Sequence, residues 1–418
     1  LKIILIINNF NMNILIISDD LTGATDSAAG FLSRGISPRI SLVFDLKRNH
    51  QAAVEVIDLD VREKQADQAT QSIRHVLIAE NLEENNPQRT LFLKIDSTLR
   101  GHVRAYVETL ISTTPEKPII ICPAFPELGR TVEQGQVKVF GESLGISEYG
   151  RGQNLNDSDG DLLSIFAGLY RPTYHLNCQN IPYDETRLDD WFKTTANDPA
   201  GIYLIDAPDR ARMDLAINSV KRLLGQCHFV GSGGLTRSLA PYVTAPDTHA
   251  PFQHLSPALW LIGSAAKVSH KQLDQLSLEK FEANEQGELS GKNHARMISL
   301  LQKNISVIAH LPLPNTMLPL SPDLLNQFIN TAVPSPISAR TLIMTGGATA
   351  RAALNKLGVH HIDLIDEILP GIPIGATMID NQICHIVLKS GGFGDDQALR
   401  SVQNYLNAHF PQIKKEHL

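Results

Sequence analysis

The chain of 418 residues is 43% hydrophobic, 19% charged and 6% aromatic, with 37 Lys plus Arg against 44 Asp plus Glu and a formal charge of −7. At ~150 residues per domain this length predicts two or three domains with full cores, and the apolar content excludes a disordered chain. The acidic balance lacks the basic footprint of general nucleic-acid binding, and the longest apolar runs, residues 3–7 and 118–125, fall far short of the ~18 residues of a membrane helix.

Residues 1–10 read as an extension or an additional edge strand rather than a signal segment, and the fold is expected to start near Met12. Residues 13–18, Asn-Ile-Leu-Ile-Ile-Ser, form a continuous apolar run and predict a strand buried on both faces of a parallel sheet. The run meets Asp19-Asp20-Leu-Thr22-Gly-Ala-Thr-Asp26, after which an Ala-rich helix is expected to end at Gly35. Asp20 or Thr22 suits a helix cap. A second carboxylate at the strand end suits a base that takes a proton from a hydroxyl. A strand at 90–95 then runs into Lys94-Ile-Asp96-Ser97-Thr98-Leu-Arg100-Gly101-His102. The period of two puts Lys94 and Asp96 on one face, with Ser97 expected to cap the next helix and Arg100 in its first turn. Such a group makes either a carboxylate or phosphate cradle or a plain Lys94–Asp96 ion pair. After a strand at 118–122, the loop Pro123-Ala-Phe-Pro-Glu127-Leu-Gly129-Arg130-Thr131 adds another cation, and residues 148–161 form the one long polar excursion. Strands at 201–205 and 228–230 follow, the latter before Gly231-Ser-Gly-Gly234, which either binds an anion or closes the sheet of the first half.

Residues 241–257 carry four prolines and predict a linker between a domain at 1–240 and another at 258–418. Beyond it come a strand at 259–262 with Gly263-Ser264, a strand at 341–344 with Thr345-Gly346-Gly347-Ala348-Thr349, and a strand at 383–388 with Lys389-Ser390-Gly391-Gly392-Phe393-Gly394. Three glycine-rich strand-to-helix turns favour phosphate or nucleotide binding, since backbone amides there approach an anion closely. None carries the P-loop or dinucleotide fingerprint. Alternating strands and helices predict an α/β fold of two domains, each a mostly parallel sheet flanked by helices. The four scattered cysteines lack a Cys-x-x-Cys pair and suit a cytoplasmic protein. The 15 histidines show no metal-ligand spacing, His360-His361 reads as a solvated turn, and no metal ligands are assigned. Acids and cations in one half and anion-binding turns in the other suit a phosphotransferase.

These motifs, from Asp19–Asp26 and Lys94–Gly101 through the Gly129-Arg-Thr131 and Gly231–Leu235 segments to Gly263-Ser264, Gly346-Gly347 and Lys389–Gly394, resemble the four-carbon acid sugar kinase family. The resemblance implies an N-terminal sugar-acid domain and a C-terminal ATP domain, with Mg²⁺ accompanying ATP and a tetronate such as erythronate, threonate or 3-oxo-tetronate as acceptor. It implies Asp19 or Asp20 as base or hydroxyl orienter, with Lys94, Arg100 and Arg130 holding the substrate carboxylate or the transferring phosphoryl group. Asp26, Asp96 and Ser97 are further substrate-binding candidates, and Ser264, Gly346, Gly347, Ala348, Thr349 and Gly391 are candidates to cradle ATP. The chain departs from the family in having Ala348 where an acid is common, and in its loop at 148–161. A weakly catalytic or non-catalytic binding regulator on the same fold is the alternative. No nucleic-acid or membrane partner is expected, and the oligomeric state is left open, a homo-oligomer included.

Overall fold

A computed structural model describes residues 12–44, 52–82, 89–114, 117–151, 160–195, 200–243, 255–313 and 320–409. The chain divides into two compact units, Leu1–Asp247 and Thr248–Leu418. The N-terminal extension, residues 244–254 of the expected linker and residues 152–159 of the polar loop lie outside the described residues.

In the first unit the strands are β1 (Ile14–Ser18), β2 (Arg39–Ser41), β3 (Val54–Asp58), β4 (Thr90–Lys94), β5 (Ile119–Cys122), β6 (Arg130–Glu133), β7 (Gln136–Val139), β8 (Glu142–Ser143), β9 (Thr173–Leu176), β10 (Ile202–Ile205) and β11 (His228–Gly231). The main sheet runs β2-β3-β1-β4-β11-β5-β10-β9, all parallel. β1, β3, β4 and β5 are buried along their whole length, which leaves apolar runs rather than alternations in β1, β4 and β5, while β3 buries Glu55 and Asp58 as well. Register sets Ser18 beside Asp58 and Lys94, Lys94 beside Gly231, and Gly231 beside Cys122. The carboxyl ends of five strands therefore finish abreast, and the order of winding reverses at β1, between β3 and β4, the kind of point where open parallel sheets bind ligands.

β6, β7 and β8 form a separate antiparallel sheet. Fully buried Asp206 ties this insert to the end of β10 by accepting from the amides of Gln134 (2.6 Å) and Gly135 (2.9 Å) and from His175 Nε2 (2.8 Å).

The second unit contains β12 (Ala258–Ile262), β13 (Glu279–Glu282), β14 (Val307–His310), β15 (Thr341–Thr345), β16 (His361–Leu369), β17 (Ile372–Ile379) and β18 (Gln382–Lys389). Their order is β13-β14-β12-β15-β18-β17-β16, parallel as far as β18 and antiparallel beyond it. Trp260, Ile262, Ile308, Ile343 and Val387 pack on Leu399 and Val402 of the helix Ala398–His409 to form its core. Burying each such side chain is worth roughly 1.5–3 kcal/mol. Ile262, Thr345 and Lys389 end in one row, so the three glycine turns leave the sheet together.

Three local expectations are corrected. The first helix is Leu21–Ala29 and starts inside the Asp19–Asp26 motif, because Asp20 caps it; a 3₁₀ turn, Leu32–Arg34, then leads to Gly35. Ser97 caps nothing: the next helix is Val103–Thr113, and residues 97–102 form a loop with Leu99 and Gly101 at φ of 60° and 86°. Arg100 therefore precedes that helix rather than opening it. His361 begins β16 instead of lying in a turn.

Candidate active site

Asp19, only 2% exposed, directly follows β1. Arg62 reaches it from the segment after β3, donating from Nε to Oδ2 (3.0 Å) and from Nη2 to Oδ1 (2.7 Å), and Nη2 also lies 2.6 Å from Asp20 Oδ1. The amides of Val61 and Arg62 donate to the Asp19 carbonyl at 2.8 and 3.0 Å, which locks the two segments together. Burial raises the Asp19 carboxyl above its ordinary value, against the pull of Arg62, and the neighbouring Asp20 adds to the rise. Arg62 loses solvation on burial, but the charges of Asp20 and Asp19 outweigh this and hold the guanidinium well above its usual value. Asp20 is the N-cap, its Oδ1 accepting from the Gly23 amide at 2.9 Å. A Cβ at Gly23 would stand 2.6 Å from both Asp20 Oδ1 and Lys94 Nζ, so glycine is what lets the buried Lys94 ammonium approach the cap.

Asp96 pairs with Arg100, not with Lys94. Arg100 donates from Nε to Oδ2 (2.8 Å) and from Nη2 to Oδ1 (3.1 Å), and Thr98 Oγ1 also donates to Oδ2. Burial would raise the Asp96 carboxyl, but Arg100, Arg62 and Lys94 together hold it well below the usual range. Asp19, Asp20, Arg62, Lys94, Asp96 and Arg100 thus form one network of three carboxylates and three cations. Asp19, with its raised carboxyl, is suited to accept a proton, and the cations are suited to hold a carboxylate.

The remaining candidates of this unit are placed as follows. Asp26 is buried within the first helix, its carbonyl facing the helix opened by Gly233. Ser97 is half-buried in the loop. Arg130 is buried on the antiparallel insert, its guanidinium 5.1 Å from the Phe140 ring and 4.7 Å from the Tyr149 ring. Gly231-Ser-Gly-Gly234 sits in mid-sheet and serves packing: Ser232 caps the following helix, and a Cβ at Gly234 would lie 2.7 Å from Phe125 Cα.

In the second unit the three turns converge. A Cβ at Gly346, whose φ is 91°, would lie 3.4 Å from Thr349 Oγ1 and 3.6 Å from Ser264 Cβ; one at Gly391 would overlap Ser264 Oγ. The Gly346 amide donates to the Lys389 carbonyl (2.8 Å), and helix Gly347–Lys356 starts beside it without a side-chain cap. Ser264, Gly346, Thr349 and Gly391 are therefore neighbours; Gly347 and exposed Ala348 open the helix there. Ser269 Oγ (2.8 Å) and Lys389 Nζ (3.3 Å) both donate to the Gly391 carbonyl, fixing the last turn. Burial pushes the Lys389 ammonium down to about 7. Thr345, the last residue of β15, is fully buried and its Oγ1 has no hydrogen-bond partner among the described residues. Backbone amides, hydroxyls and a helix N-terminus fit a polyphosphate.

Sequence reasoning missed Arg62, because β3, Val-Glu-Val-Ile-Asp, was not recognised as a strand whose carboxyl end would deliver it. It also missed the Lys389 side chain as the brace of the last turn.

A family model described as a sugar-binding N-terminal domain matches residues 14–239, and one described as a nucleotide-binding C-terminal domain matches residues 320–399. A D-threonate kinase of Cupriavidus necator is 28% identical across 93% of this chain and 96% of its own length. A 3-oxo-tetronate kinase of Actinobacillus succinogenes is 23% identical across 93% and 98% respectively. A crystal structure of a Haemophilus influenzae protein shares the fold at a TM-score of 0.70 and 18% identity, covering 94% of this chain and all of that one. With the sugar-binding model spanning over half of its length, the chain belongs to the four-carbon acid sugar kinase family.

Proposed function

We propose that this sugar acid kinase uses ATP to phosphorylate a hydroxyl of a four-carbon sugar acid such as erythronate, threonate or 3-oxo-tetronate. The observation that carries the reading is the buried Asp19 carboxylate at a strand end, clamped by Arg62 and followed by Lys94, Asp96 and Arg100. Arg62, Lys94 and Arg100 hold the substrate carboxylate, and Asp19 orients the reacting hydroxyl and accepts its proton. Ser264, Gly346, Gly347, Ala348, Thr349 and Gly391 cradle the phosphates of ATP through backbone amides and hydroxyls. Catalysis of this kind is mainly positioning and charge stabilisation.

Among the described residues no three His, Cys, Asp or Glu side chains cluster as metal ligands. A Mg²⁺ carried in with ATP would neutralise phosphate charge there. The test is ADP release from ATP across a panel of four- and five-carbon sugar acids. Turnover with a four-carbon acid supports the reading, whereas ATP binding without turnover on any acid favours the non-catalytic regulator.

A further inference from the structure

Tyr106, on the helix Val103–Thr113, is 1% exposed, and its Oη makes no hydrogen bond among the described residues. Its ring packs edge-on to His102 at 6.1 Å, which accounts for the ring but not for the hydroxyl. The His102 backbone is close enough to favour the ionised phenol slightly, without reaching hydrogen-bond geometry. What the hydroxyl faces is shown by Gly101: the point where a Cβ would stand is 3.0 Å from Asp19 Oδ2 and 3.5 Å from Tyr106 Oη. Two buried oxygens of opposite character, with the Arg62 Cγ 3.4 Å from the same point, thus flank Gly101 beside the candidate site. A buried polar atom left unpaired costs about 1–3 kcal/mol, so such an atom at a binding site points to a ligand that satisfies it.

We propose that Tyr106 and Asp19 read one hydroxyl of the sugar acid together, Tyr106 Oη donating to the same substrate oxygen that donates its own proton to Asp19. Arg62 occupies only part of the carboxylate, which has about four lone-pair directions, so Asp19 retains the capacity to accept from the substrate. Burial, and then the Asp19 charge, push the phenol up to about 12, so it is a protonated donor at neutral pH. A hydroxyl satisfies both groups. A carbonyl oxygen accepts from Tyr106 but offers Asp19 no proton, and a deoxy carbon satisfies neither, so the pair makes Tyr106 a specificity-determining residue for a hydroxyl at one carbon. This rests on the sugar-acid reading above.

The experiment is calorimetric binding of a tetronate and its 2-, 3- and 4-deoxy analogues to the full chain and to Tyr106→Phe. Tyr106→Phe weakens the tetronate about tenfold, the size expected of one buried hydrogen bond. One deoxy analogue is weak on the wild type and loses nothing further on Tyr106→Phe, because the oxygen that Tyr106 reads is already gone. Equal weakening of every acid, or none, overturns the proposal and leaves the tyrosine with a packing role. A wild-type protein that binds no four-carbon acid overturns the sugar-acid reading itself, a separate outcome. If Tyr106→Phe melts lower, the comparison of analogues on one protein still decides.

Discussion

Replacing Arg62 by Ala removes the guanidinium that spans Asp19 and Asp20 while leaving both carboxylates in place. Breaking a buried ion pair from one side costs about 3–5 kcal/mol, because a charge is stranded without its partner. Asp19 is almost fully enclosed, but Asp20 keeps 21% of its side chain in solvent, and Asp19 escapes by taking a proton. The lower end, about 3 kcal/mol, is therefore expected. For a unit of this size that is a fall of about 6–12 °C in Tm at pH 7.5. The pH dependence follows from the Asp19 carboxyl, already raised with Arg62 present and raised further without it. Above the ordinary carboxylate range the native state then binds more protons than the unfolded chain, so the stability of the variant falls as pH rises. The Tm gap between wild type and variant should accordingly narrow from pH 8 to pH 5, measured by circular dichroism. A gap under 2 °C at pH 7.5, or one that widens on acidification, would refute the placement of Arg62 against Asp19.

Asp19→Asn should lower turnover by about 10²-fold or more while Asp20→Asn keeps the cap and melts within ~1 kcal/mol of wild type; saturating kinetics beside melting curves separate the two acids. Gly391→Ala should weaken ATP binding more than tenfold in calorimetry, because its Cβ displaces Ser264 Oγ, and normal binding would return this turn to a packing role. Burial lowers the Lys389 ammonium to about 7, so the unfolded chain binds the extra proton between about 7 and the ordinary lysine value, and stability gains from rising pH in that window. Lys389→Met should flatten that part of the Tm–pH curve, and an unchanged slope would contradict the buried charge.

The parallel strands were legible because burial on both faces leaves uninterrupted apolar runs such as Ile-Leu-Ile-Ile in β1 and Ile-Ile-Ile in β5. One such strand went unread all the same, β14, Val-Ile-Ala-His, which is parallel and buried along its length, and the others that escaped notice depart from that pattern. β3 carries Glu55 and Asp58 inside its run, buried Glu55 being paired with Arg89 at 2.5 Å, and a period-based reading discounts such charges. β13, Glu-Lys-Phe-Glu, has only Phe281 buried, and β16 and β17 pair antiparallel with register shifts at Leu364/Asp366 and Glu367/Leu369. At the site, residues contiguous in sequence were readable as motifs, as with Asp19-Asp20 and Lys94–Arg100. The cap at Ser97 failed because residues 98–102, with Leu99 and Gly101 at positive φ, stay in a loop before the helix begins at Val103. Arg62 was hidden because its meaning is tertiary: it matters only once β3 is known to lie beside β1.

The central claim is that a phosphoryl group passes from ATP to a sugar-acid hydroxyl. Phosphorus NMR of the protein incubated with ATP, Mg²⁺ and a four-carbon sugar acid tests it most directly. The account predicts a new phosphomonoester resonance growing in step with ADP, absent without the acid and strongly slowed in Asp19→Asn. Inorganic phosphate as the only product beside ADP, or ATP unchanged with every tetronate, would contradict it.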